Sequence, residues 1–137
     1  MRFEKLKNDI LGKDYELSLA YVTPSKSREI NKKYRKKDKP TNVLSFSLRQ
    51  NEGELVLCKE VIKKEAKDLK EKFTQRLVFL VIHGMLHLKG MQHSSKMEKA
   101  ERFYFKKYDQ EHFSGNRLGN FYNQSSGGRV HPRRKKS

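Results

Sequence analysis

At 137 residues the chain is long enough for one hydrophobic core and too short for two. Its formal net charge of +16, from 32 Lys and Arg against 16 Asp and Glu, favours a polyanionic partner, either nucleic acid or an anionic membrane. The longest apolar run, Leu77 to Ile82, is too short to span a bilayer and no N-terminal signal pattern precedes the fold, so a membrane is the weaker choice. A single cysteine, Cys58, excludes an internal disulfide and suits a reducing cytoplasm.

In chain order, residues 2–11 place Phe3, Leu6, Ile10 and Leu11 at helical spacing, and Tyr15 to Val22 alternates as a half-buried strand does. Thr23-Pro24 opens a second helix, with a capping hydroxyl followed by a proline where no amide proton is needed. That helix runs through Ile30 and Tyr34 and stops before Asp38-Lys39-Pro40, where the proline biases Lys39 away from helical geometry. Two further strands follow at Thr41 to Leu48 and Gly53 to Cys58, and Val61, Ile62, Ala66 and Leu69 mark an amphipathic helix. The most apolar element, Phe73 to Leu88, is expected to be a central buried helix ended by Gly90. Ser95 with Glu98 fits a capping box opening a last helix that carries Met97, Ala100, Phe103 and Tyr108.

Strands and helices mix without strict alternation, which predicts an α+β domain over 1–113 with a mixed sheet of about three to four strands. Residues 114–137 contain six basic residues and no acidic one, and so few apolar groups that a disordered basic tail is expected.

The segment from His83 to His93 carries the chemistry. His83 and His87 are four apart on a helix, so their imidazoles project from one face at neighbouring turns. Gly90 lets the chain reverse, which brings His93 back to the same point. Two histidines alone on an apolar helix would be read evenly as satisfied core residues; three of only five within eleven residues favour a metal site. Three imidazoles with an open fourth position are the ligand set of catalytic zinc, one ion per chain, which lowers the pKa of a water in that position to about 7. The spacing is also that of the metzincin proteases, but those need a glutamate after the first histidine, and that position is Gly84.

On these residues the sequence resembles the YbeY family of bacterial endoribonucleases that mature ribosomal RNA. The family's zinc motif H-G-x-L-H-L-x-G-Y-D-H matches His83 to His93 except at Met91 and Gln92. A second motif resembles Tyr34 to Phe46 (YRKKDKPTNVLSF), and a third resembles Gly53 to Cys58 (GELVLC); together they cover about residues 15–110. The resemblance implies zinc on His83, His87 and His93, cleavage of single-stranded RNA in 16S rRNA 3′-end processing and ribosome quality control, and a functional arginine, Arg35. A guanidinium can grip a phosphate through two parallel hydrogen bonds and stabilise charge growing on it.

Lys36, Lys37 and Lys39 join Arg35 as candidate RNA-binding residues, and Lys32, Lys33 and the tail add basic surface. Thr41, Asn42 and Ser45 are candidates to line the cleft or ordinary polar strand residues; Cys58 reads as a small buried residue rather than a fourth ligand. Three features depart from the family pattern: Met91-Gln92 replaces Tyr-Asp, no extra strand is found before Arg2, and the basic tail is unlike the family core. A carboxylate at position 92 could orient a ligand, and glutamine cannot carry the same charge. The attacking group stays open between metal-activated water and the RNA's own 2′-hydroxyl. The main rival is a non-catalytic, zinc-stabilised factor that binds rRNA during ribosome assembly, ahead of a hydrolase of small substrates, which fits the charge badly.

Overall fold

The computed structural model describes residues 3–112, so the expected tail from 114 onward lies outside the described residues. The elements run α1 (Glu4–Ile10), β1 (Glu16–Tyr21), α2 (Pro24–Arg35), β2 (Val43–Arg49), β3 (Glu52–Leu57), α3 (Lys59–Leu69), α4 (Phe73–Leu88) and α5 (Ser95–His112). The sheet order is β1-β3-β2: β2 and β3 form an antiparallel hairpin, and β1 joins β3 in parallel. Three strands in a mixed sheet, packed with helices, make the domain α+β.

Helix α4 is the centre of the molecule. Every residue from Gln75 to Leu86 is buried, because the helix meets β2 and β3, α1, α3 and α5 on different sides. Leu55 and Leu57 of β3, Ile62 of α3, Phe105 of α5 and Ile10 of α1 share its core. Side chains of this kind contribute about 1.5–3 kcal/mol each when fully buried. The helix sits so close to the sheet that a Cβ on Gly84 would lie 2.7 Å from Leu55 Cδ2 and 3.2 Å from Ser45 Oγ. Ser45 Oγ donates instead to the Gly84 carbonyl at 3.2 Å.

Two local features differ from the pattern in the sequence. The inward face of α2 is polar: Ser27 and Asn31 are buried while Tyr34 is 59% exposed. Hydrogen bonds explain it. Ser27 Oγ accepts from the Thr41 amide at 2.9 Å and donates to its carbonyl at 3.0 Å, and Asn31 Nδ2 donates to Lys39 O at 2.9 Å. The second difference is at α5, where the cap is Ser94 and not Ser95. The Met97 amide donates to Ser94 Oγ at 3.2 Å, and Ser95 is already helical. The two hydroxyls are chemically alike, and the backbone path from His93 decides which one stands in the non-helical position.

Candidate metal centre

The last turn of α4 is built to aim two imidazoles. Gly90 takes φ +105°, the left-handed region that a side chain would strain. This conformation lets the Gly90 amide donate to His87 O (2.9 Å) and the Met91 amide to Leu86 O (3.0 Å), the paired bonds of a Schellman stop. The same turn carries the Met91 carbonyl back to His87, whose Nδ1–H donates to it at 3.0 Å. His83 is fixed from another side: its Nδ1 lies 2.5 Å from Glu101 Oε2, and both residues are buried. A carboxylate can only accept here, so Nδ1 carries the proton.

Both Nδ1 atoms are thereby occupied, and the two Nε2 atoms face each other at 3.1 Å. Burial, with His83 and then His93 beside it, pushes His87 down to about 4, so at neutral pH its Nε2 is a bare lone pair. Two ring nitrogens this close suit a shared cation. Imidazole nitrogens sharing one tetrahedral ion at about 2.0–2.1 Å sit roughly 3.3 Å apart, which matches. His93 completes the set. It is exposed, and the ligand atoms of the three histidines all lie within 4.8 Å of one another. Among the described residues these three form a group that could hold a metal ion, and Cys58 is elsewhere, buried with its Sγ 4.0 Å from Glu60 Oε1.

The three histidines open onto a cavity of about 580 Å³ whose other wall comes from α2 and β2: Tyr34, Arg35, Val43, Leu44, Ser45 and Phe46. Arg35, half-buried, is therefore brought to the histidines across some fifty residues of sequence. Partial burial lowers its pKa from the ordinary value, but a guanidinium stays charged at neutral pH. Lys36, Lys37 and Lys39 are not in the cavity wall; they occupy the turn after α2. Asp38 ties that turn to the helix through Arg28 Nε at 2.6 Å and Lys32 Nζ at 4.0 Å. The Arg28 guanidinium holds the Asp38 carboxyl below its ordinary range.

Of the polar residues considered for the cleft, only Ser45 lines it. Thr41 is buried in its exchange with Ser27. Asn42 is buried too, its Nδ2 donating to both Glu65 oxygens at 3.1 and 3.0 Å and its Oδ1 accepting from the Val43 amide. Both are joints between α2, β2 and α3. The sequence pattern missed Glu101. A signal was present: Met97, Glu101, Phe105 and Tyr108 share the buried stripe of α5, and Glu101 is the one ionisable carboxylate among those four. Gln92, where the family pattern has aspartate, is exposed. The carboxylate that orients a histidine here arrives from α5.

A family description, "Endoribonuclease YbeY", matches residues 2–112. The chain belongs to the YbeY family. A protein of Staphylococcus carnosus named "Endoribonuclease YbeY" is 35% identical, over 71% of this chain and 71% of its own. One of the same name from Colwellia psychrerythraea is 42% identical over 66% of this chain and 63% of its own. The solution structure of TM1509 from Thermotoga maritima superposes with a TM-score of 0.60 at 29% identity, covering 80% of this chain and 82% of that one. The YbeY relatives thus share most of the domain, and the metal-centre helices, the α2–β2 wall and the hairpin all lie within the matched residues. No helix among the described residues is long and apolar enough to cross a membrane.

Proposed function

We propose that this chain is a zinc-dependent endoribonuclease that cleaves single-stranded RNA, acting in the cytoplasm on ribosomal RNA, in 16S 3′-end processing and ribosome quality control. One observation carries the reading: a convergent three-histidine cluster and a half-buried arginine line the same cavity. The family membership and the names of the relatives support the reaction class. The excess of basic over acidic residues supports an RNA substrate, since each phosphate neutralised releases condensed counterions.

Within this reading His83, His87 and His93 hold the ion through imidazole nitrogens, a donor set that suits zinc. Zinc supplies Lewis acidity toward a phosphoryl oxygen. The remaining work belongs to the chain's own groups. Arg35 grips a non-bridging phosphate oxygen pair and holds the phosphodiester in the cavity, and its charge offsets the negative charge that grows there during cleavage. Glu101 and the Met91 carbonyl keep His83 and His87 in the tautomer that leaves Nε2 free. Lys36, Lys37 and Lys39, on the turn next to Arg35, draw in the RNA backbone without touching the reacting phosphate.

A protease is disfavoured because the position of the general-base glutamate is Gly84, where a Cβ would meet Leu55 Cδ2 at 2.7 Å. The rival reading, a non-catalytic zinc-stabilised rRNA-binding factor, is favoured by the Gln92 substitution; against it, Glu101 places a carboxylate on His83 from α5.

The test compares the native protein with His87→Ala by elemental analysis and by incubation with single-stranded rRNA fragments. We expect about one zinc per native chain, with metal and cleavage both lost in the variant. Zinc without cleavage would transfer the protein to the assembly-factor reading, and no metal in either would end the zinc reading altogether.

A further inference from the structure

Beside the metal cavity lies a second one of about 480 Å³, on the far side of the same wall. Two aromatic rings, Tyr34 and Phe46, line both. They pack edge to face, with centroids 5.2 Å apart and planes at 69°. Tyr34 is 59% exposed, which is unusual for a large ring next to a cleft and leaves apolar surface uncovered. Leu48, 54% exposed, extends that apolar floor along β2. Charge is distributed unevenly around it. Lys33 Nζ sits 5.3 Å from the Tyr34 centroid, and Arg35 adjoins on the metal side. Glu54 lies at the sheet side, opposite Phe46 in the hairpin register, while Glu29 is engaged with Lys26 at 3.5 Å.

We propose that Tyr34 and Phe46 form a nucleobase-stacking subsite for the nucleotide flanking the phosphate held at the metal cavity. This rests on the RNA-cleaving reading above and adds the element that selects unpaired RNA. An aromatic platform flanked by cations on one side fits a nucleotide: the base stacks on the rings and the phosphate meets Lys33 and Arg35. The sheet side, with its carboxylate, suits a base amino group and repels phosphate, which sets the direction in which the strand enters. A base in a duplex is already stacked and cannot reach the rings.

The experiment measures binding of a short fluorescent oligocytidine, the same strand in a duplex, and a series with one abasic position moved along it. It uses native protein, Tyr34→Phe and Tyr34→Ala. Cleavage of the unlabelled strand is followed in parallel. Native protein and Tyr34→Phe are expected to bind the single strand and to lose affinity when one particular position is abasic. Tyr34→Ala is expected to bind roughly 5- to 150-fold more weakly and to be indifferent to where the abasic position lies. Its melting temperature should stay near native, because the ring is mostly exposed. Equal affinity in Tyr34→Ala with cleavage intact would overturn the subsite and leave the nuclease reading standing. RNA binding with the full stacking signature but no cleavage would keep the subsite and overturn the nuclease. Absence of binding in the native protein would overturn both.

Discussion

Helix α4 holds a buried carboxylate contact near each end, and the two differ in what they leave unsatisfied. Near its start Arg76, fully buried, meets Glu71 through two parallel bonds, Nε to Oε1 at 2.7 Å and Nη2 to Oε2 at 3.0 Å. Toward its end His83, also buried, meets Glu101 at Nδ1. The first pair turns inward: both carboxylate oxygens are used, the guanidinium stacks 4.9 Å from the Phe79 centroid with its Nη1 buried and without a hydrogen-bond partner, and neither of the two cavities described above includes it. The second pair spends one ring nitrogen and presents the other to His87 and an open cleft. Similar chemistry thus closes on itself at one end and leaves a ring nitrogen facing an open cleft at the other. Burial of a charged pair is not by itself a mark of function; the orientation of the leftover lone pair is.

That contrast can be broken by mutation, and the largest effect should come from the inward pair. Glu71→Ala leaves the Arg76 charge buried and uncompensated, which costs about 3–5 kcal/mol. Urea unfolding should report that loss, while the folded fraction keeps its native metal content. Loss of metal at full folding would mean that the two ends of α4 are not independent.

Gly84→Ala probes the close packing that separates the ends. The added methyl would press on Leu55 Cδ2 and Ser45 Oγ, and overpacking of this kind costs about 1–3 kcal/mol. Leu55→Val in the same chain should recover part of the loss, since the clash is with the end of the leucine side chain. A lack of any coupling between the two substitutions in a thermal double-mutant cycle would show that α4 can shift away from the sheet.

Glu101→Gln tests the outward pair. The amide keeps the size and loses the charge, so His83 is held less firmly with Nε2 free. Changes to groups that orient a metal-bound histidine lower metal affinity by roughly 10- to 100-fold. Competition against a calibrated chelator measures it directly. An affinity equal to native would reduce Glu101 to a packing residue and erase the difference between the two pairs.

How far the sequence carried the reading follows the same line. Helix α4, the three histidines and the Gly90 stop were legible because each is a local matter of spacing and backbone geometry. The three strands were legible from alternation and composition, while their pairing, with β3 between β1 and β2, was not. Arg76, Glu71 and Glu101 were not, because charged residues carry a strong expectation of exposure, and only partners elsewhere in the fold reverse it. Glu101 is eighteen positions from His83, beyond any periodicity. Ser27 and Asn31 hid in the same way: their burial depends on Thr41 and Lys39, across the turn. The grip of Arg35 on the metal cavity came from the family motif alone, since a single arginine at a helix end has no distinguishing local pattern.

The smallest expected effect separates charge from backbone at the turn beyond Arg35. Lys36 ends α2 in the left-handed conformation, φ 59° and ψ 34°, its amide bonded to Lys32 O and the Lys37 amide to Asn31 O. A side chain there costs roughly 1–2 kcal/mol, which glycine would not incur. Glycine also gives the unfolded chain more freedom, a loss of about 0.4–1 kcal/mol that offsets roughly half of the gain. Lys36→Gly should therefore raise the melting temperature slightly, if it moves it at all, while removing one positive charge from the proposed RNA path. If Lys36 neutralises a phosphate, the slope of log affinity against log salt should shrink by about one, with the single-strand preference intact. An unchanged slope would take Lys36 out of the RNA path and leave Arg35, Lys37 and Lys39 as the basic residues of the second motif that could meet the strand.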